Sequence, residues 1–411
     1  MTSTTARALG LSTLLLLSGC PGTAATPDAG LPPSDTGGPT DAGPGADAGP
    51  MLDTGARADA PTDAGPGPGL GGGPGIRYLM PGRPIDLTPD GTLAVVEDPG
   101  TAMGDVYFFD VDSGELTLET VVGDPARDFS TAISASRRLT AHHGVPVMAG
   151  TFTEAGGWLD LGSPFGAGCD QDIASAWDVS ADGTIVAGMA WDVCSPAAVR
   201  WTIAADDTVT TTTLDRLGVR AAGGSGPPTN RATVVSDDGT VIAGFAENDL
   251  VDRWPAVWRA DGTGFLLPGT VPDAPGEVLS ISADGRVVGG TWNLEAFLWS
   301  AADGVVSLGR LPTSFGGDTA YANAIAADGA LVFGGCGGFG ASEAFVWTEA
   351  GGMRLLTEIL TAEGIEIPFG YLFQNVLAAS TDGTVILGSV ATASGTPQSF
   401  VLRLPLSAYG L

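Results

Sequence analysis

"SADGTIVAG" occupies residues 180–188, and variants of it stand elsewhere: "TPDGTLAVV" from 88, "SDDGTVIAG" from 236, "SADGRVVGG" from 282, "AADGALVFGG" from 326 and "STDGTVILG" from 380. The Asp-Gly pair reads as a hairpin turn. Glycine accepts a positive φ at no steric cost, and aspartate bonds back to its own backbone. The β-branched, apolar residues after it read as a strand. The aspartates Asp90, Asp182, Asp238, Asp284, Asp328 and Asp382 serve as a ruler. From Asp182 onward they lie 44 to 56 residues apart, but Asp90 and Asp182 are separated by 92, twice 46. A degenerate copy is therefore expected near residue 136. "AISASRRLTAHHG" (132–144) supplies it, with Ser136-Arg137 in place of Asp-Gly. A fixed period of this length points to a propeller or a solenoid.

Each copy divides into four strands, A to D. Strand A ends at the phrase, as in "WDVS" (177–180), and strand B follows the turn. Strand C is "AAVRW" (197–201), "PAVW" (255–258), "EAFLW" (295–299) or "EAFVW" (343–347), and strand D is "GFLLPG" (264–269) or "VVSLG" (305–309). Near-continuous apolar strands are buried on both faces, and four short antiparallel strands stacked on like neighbours make a propeller blade. Trp201, Trp258, Trp299 and Trp347 share one strand C position, filled by Phe109 and Leu402 in outer copies. The reading adopted for them is packing between blades. The last copy lacks a strand D, and "GIRYLMPG" (75–82) resembles one. A first strand that completes the last blade would close the ring and remove an open sheet edge. The expected fold is all-β: a seven-bladed β-propeller of four-stranded antiparallel blades over residues 76–411, preceded by a disordered tether.

"EAFLW" and "EAFVW", each following a phrase such as "SADGRVVGG", resemble the HAF-type extracellular repeat, with Glu295 and Glu343 where that family has histidine. The resemblance extends over most of residues 85–405 and is poorest in the second copy. It implies a β-propeller-like fold and an extracellular or surface location, and no activity.

The amino-terminal region reads as an address. Residues 1–19 carry one charge, Arg7, and an apolar run from Leu9 to Leu17, too short to span a bilayer. "LSGC" (17–20) then resembles the lipobox of bacterial lipoproteins. The resemblance implies cleavage before Cys20 and acylation of that residue, hence anchoring in the membrane. Pro21 in place of aspartate implies, by the same likeness, the outer membrane. Residues 20–75 recycle Pro, Gly, Ala and Asp in "TDAGPGADAGP" and its kin. With almost nothing apolar to bury they are expected to stay disordered, a tether spanning on the order of 40 Å.

Composition bounds the chemistry. Acidic residues outnumber basic ones 47 to 17, for a formal charge of −30, and every basic residue is arginine. A missing lysine excludes P-loop and Schiff-base chemistry, and the acidity argues against a nucleic-acid partner. The two histidines, His142 and His143, are adjacent and would point to opposite faces of a strand. No catalytic residue, metal site or cofactor is read from the sequence.

The A–B and C–D turns hardly vary, whereas the B–C and D–A connections, such as "MAWDVCSP" (189–196), "GCGGFGAS" (335–342) and "TAEGIEIPFGYLF" (361–373), vary widely. In a four-stranded meander these variable connections share one face, which becomes the candidate binding surface. Trp191 and Trp292 sit there as candidates to hold a glycan or a protein partner; a Trp folded over its own blade is the competing reading. Cys169 and Cys194 are the candidate disulfide, with Cys336 left over. The function expected is non-catalytic binding or scaffolding at the cell envelope. The alternative is a polysaccharide hydrolase or lyase using carboxylates in the central channel.

Overall fold

A computed structural model describes residues 69–79, 82–98, 105–119, 127–143, 148–165, 173–192, 195–219, 226–248, 252–269, 274–312, 319–338 and 341–411. Seven four-stranded antiparallel sheets follow one another around a ring. Blades 1 to 6 each use four consecutive strands, A innermost and D outermost. Blade 7 takes strands A to C from Leu372–Ala379, Val385–Ala391 and Pro397–Arg403, and its strand D is Gly75–Tyr78 from the other end of the chain. Gly75 pairs with Arg403 and Tyr78 with Phe400, so the first strand closes the ring as the repeat count requires. The closure begins upstream of that strand. Gly69 and Leu70 donate backbone N–H groups to Ser113 and Val111 in the C–D turn of blade 1. Arg403 reaches back to Gly71 O and to Asp112. Residues 69–75, which composition assigns to the tether, thus pack on the ring.

The recurring phrase has a physical cause. In blade 3, Gly183 N–H closes a turn on Ser180 C=O at 2.9 Å, and Gly183 itself has φ +78°. Ser180 Oγ accepts the N–H of Ile185 and donates to Asp182, which also holds Thr184 N–H. The glycine is required twice, for its positive φ and because it nests against the preceding blade. A Cβ on Gly239 would meet Ile185 at 2.6 Å, and one on Gly285 would meet Val241 at 2.7 Å. The degenerate copy keeps the geometry without the residues: Arg137 adopts φ 60°. Blade 6 starts the phrase with Ala326, which has no hydroxyl, and its turn becomes a short 3-10 segment, with Ala327 and Asp328 at positive φ.

Trp201 and Trp258 are fully buried. Each donates its indole N–H to the connection after the preceding blade, to Gly162 and Asp215 respectively. They are interblade packing residues, as expected. Two B–C connections differ from the sequence reading. "MAWDVCSP" and "GCGGFGAS" are mostly strand, because Ile185–Asp192 and Ser195–Ile203 pair out to residue 192, and Leu331–Gly338 and Ala341–Thr348 pair out to residue 338. The glycine that opens the second stretch serves close approach instead: a Cβ on Gly335 would lie 2.8 Å from Asn375 Oδ1 and 3.0 Å from Gln374 O.

Candidate functional site

Strand A of every blade is an inner sheet edge, and its unpaired N–H and C=O groups line the axis of the ring. Each of the seven carries a bulge three residues before the phrase, at Ile85, Thr131, Trp177, Thr233, Leu279, Asn323 and Leu377. A bulge re-aims the neighbouring side chains, and here the polar ones bridge to the next blade. Asp86 accepts Ile133 N–H at 2.8 Å and Asp178 accepts Val235 N–H at 2.7 Å. Thr131, Ser280 and Asn323 donate to the carbonyls of Ala176, Ala322 and Val376. Between blades 4 and 5 an ion pair, Arg231–Glu277 at 3.2 Å, takes this part, and Arg253 joins it at 2.6 Å. Arg231 is buried and lies 4.1 Å above the Trp177 ring. These bonds satisfy edge groups that would otherwise face a confined space.

The strands enclose a central cavity of about 440 Å³. At its turn end a belt of backbone bonds runs from blade to blade: Ala181 N–H to Asp237 O, Asp237 N–H to Ala283 O, Ala327 N–H to Thr381 O and Thr381 N–H to Pro89 O. One side-chain bond crosses the axis there. Thr381 Oγ1 of blade 7 donates to Asp237 Oδ2 of blade 4 at 3.2 Å, narrowing that end.

Three carboxyl groups therefore line the cavity. Burial raises Asp86 to about 7, partly offset by the Ile133 N–H. Burial raises Asp178 well above the usual carboxylate range, and the nearby Asp86 adds to this. Burial also raises Asp237, against the Thr381 hydrogen bond. These residues were not singled out from the sequence. For Asp86 and Asp178 a signal existed: two residues before the residue that opens the phrase, the copies carry Asp, Ala, Asp, Val, Ser, Ala and Ala, so acids stand where most copies are small or apolar.

The residues chosen from sequence do not converge on this cavity. Trp292 is buried, donates its indole to Ala274 O at 3.0 Å and packs edge-on against Trp254 and Phe297. Trp191 is half-buried near the end of strand B of blade 3, its backbone N–H bound to Ile173 O. Cys336 is buried and free, its sulfur 3.5 Å from Leu311 N. Cys169, Cys194 and Cys20 lie outside the described residues. His142 and His143 end strand B of blade 2, paired with Ala149 and Met148. Among the described residues no group of three or more His, Cys, Asp or Glu side chains could hold a metal ion, and no helix is long and apolar enough to cross a membrane.

No protein-family model and no curated protein matches the chain, so the HAF-type resemblance rests on the quoted residues alone. Solved structures share the fold. An oligogalacturonate lyase from Vibrio parahaemolyticus aligns with a TM-score of 0.50 at 10% identity, over 81% of this chain and 94% of that one. The β-propeller domain of Cps50 (Swd1) from Myceliophteria thermophila aligns with a TM-score of 0.52 at 11% identity, over 80% and 100%. TolB from Acinetobacter baumannii aligns over 80% and 97% at 10% identity, with a TM-score of 0.35. At such identities the likeness concerns the fold alone.

Proposed function

We propose that this protein is a surface-anchored lipoprotein, held by an acylated Cys20, whose propeller is a non-catalytic binding or scaffolding module at the cell envelope. The observation that carries this reading is where the chain joins the ring. Gly69–Gly71 bind the C–D turn of blade 1, and strand D of blade 7 runs from there toward the other face. A–B and C–D turns share one face of a meander. The chain therefore enters the ring on the face opposite the variable connections, so residues 69–75 leave that face uncovered. The wall of the cavity supports the same reading: Asp86 and Asp178 already hold backbone N–H groups of the next blade.

A specific observation favours the second reading, a polysaccharide hydrolase or lyase. Asp86, at about 7, is placed to exchange a proton near neutral pH. Two measurements on the purified protein separate the readings: retention of envelope polysaccharides and envelope extract, and turnover of the same polymers. The binding reading expects retention without turnover, unchanged in Asp86→Asn. Turnover that Asp86→Asn abolishes would sink it. Anchoring is tested separately, since Cys20→Ser should move the protein from the membrane to the soluble fraction.

A further inference from the structure

The wall of the central cavity is layered along the axis. One level holds Asp86 and Asp178, each two residues before the residue that opens its phrase. The next residue down the strand is apolar in every blade, with Leu87, Ile133, Val179, Val235 and Ile325 among the seven that line the cavity. At the turn end stands Asp237, drawn toward the axis by its bond to Thr381. The order is carboxyl, hydrocarbon, carboxyl over three residues of chain, a span of up to about 10 Å. A carboxylate offers about four acceptor positions. Asp86 receives the N–H groups of Ile133 and Leu87, Asp178 those of Val235 and Val179, and Asp237 the Thr381 hydroxyl, so each keeps acceptor capacity in hand. The side-chain donors of Thr131, Ser280 and Asn323 are spent on carbonyls of neighbouring blades. Among the described residues the one cation on the wall is Arg83, which is paired with Glu97.

We propose that the central cavity binds an aliphatic diammonium ion along the axis: one end at Asp86 and Asp178, the methylenes in the apolar belt, the other end at Asp237. An extended four-carbon diamine with a charge-assisted hydrogen bond of about 2.8 Å at each end covers the span. The volume of about 440 Å³ admits a small organic molecule. A single metal ion fits less well, because among the described residues no three acids come together to hold one. The acids are nevertheless near enough to act on one another. Burial raises Asp86 and Asp178 first; the charge of Asp237 then raises both, and that of Asp86 raises Asp178. A dication reverses this: it favours the charged carboxylates, and Asp86 releases its proton as the ligand enters. An anion would meet three carboxyl groups instead. The site lies at the axis and is independent of the variable face, so its failure would leave the envelope-binding reading untouched.

The test is titration calorimetry of the purified protein with 1,4-diaminobutane. A chain of formal charge −30 gathers cations over its whole surface, so the titration is run at about 0.15 M salt, where such attraction is largely screened. One site per chain should appear. Asp86→Asn, Asp178→Asn and Asp237→Asn should each raise Kd by about tenfold or more, as loss of one partner of a buried charge pair does. Asparagine keeps an acceptor oxygen for the backbone donors, so the fold is retained. Glu349→Gln, which removes an exposed acid elsewhere, should change nothing. Butylamine, with one charged end, should bind about tenfold or more weaker, and butane-1,4-diol and succinate should not bind. Affinity should rise from about pH 6 to 8, and near pH 7 the heat should vary with the buffer's ionisation enthalpy, because a proton leaves as the ligand binds. No saturable site, a site indifferent to the three asparagine variants, or one that takes butylamine as well as the diamine would overturn the proposal.

Discussion

Asp178 and Asp182 are four residues apart and are driven in opposite directions. Asp182 sits in the A–B turn. Partial burial pushes its carboxyl up, but Thr184 N–H and the Ser180 and Thr184 hydroxyls together hold it below its usual value. Asp178 lines the channel, where burial and the Asp86 charge outweigh the N–H groups of Val235 and Val179. The same division separates Asp90, Asp238, Asp284 and Asp382 in the turns, all lowered, from Asp86 and Asp237 at the axis, both raised. The contrast teaches that a repeated aspartate is a structural device where donors converge on its charge. The same residue becomes a stored strain where few donors meet it out of water.

The largest expected effect is on stability against pH. Asp86 is raised from 3.8 to about 7. In that case the unfolded chain gives up its proton first. The stability this group contributes is complete below about pH 4, falls as pH rises toward 7 and is gone above. The turn aspartates act in the other sense: their contribution is present above pH 4 and is lost as pH falls through their lowered values. Urea midpoints should therefore peak near pH 4. Asp86→Asn keeps an acceptor for Ile133 N–H and removes the charge, so it should stabilise at pH 8 by up to about 4 kcal/mol. It should also flatten the limb between pH 4 and 7. A peak at pH 7, unmoved by this variant at high salt, would break the comparison.

The turn side yields smaller effects. Gly239→Ala meets both a φ of +69° and the Ile185 side chain at 2.6 Å, and should cost about 2–3 kcal/mol in urea unfolding. Asp238→Ala deletes the acceptor for Ser236, Thr240 N–H and Thr240 Oγ1. Its cost should be about 2 kcal/mol at pH 7 and should shrink in acid, as pH falls through the lowered value of the wild-type carboxyl and protonates it. A loss equal at both pH values would show that its charge is irrelevant to the turn. The smallest effect belongs to the bond across the axis. Thr381→Val leaves Asp237 without that donor, should cost under about 1 kcal/mol, and should push the Asp237 carboxyl further up, readable by carboxyl NMR titration.

Number and closure of blades were legible in the phrase itself, because a turn that needs Ser, Asp and Gly at fixed offsets leaves a mark at each repetition. Even the copy lacking them was located by spacing, and Arg137 carries the left-handed conformation there. The interblade tryptophans were legible for the same reason: one environment recurs, and one residue type fills it. The ends of the strands were less so, since glycines that let backbones approach look like glycines that turn a loop.

The channel was decided by tertiary structure alone. Asp86, Asp178 and Asp237 come from three blades, and although the first two stand out against the other copies at their position, no local pattern says that the three share one cavity. Their meeting depends on seven bulges and on the curvature of the ring, which bring residues more than forty positions apart to one axis. Periodicity reports what each module needs for itself; what the modules present together is set by how they close.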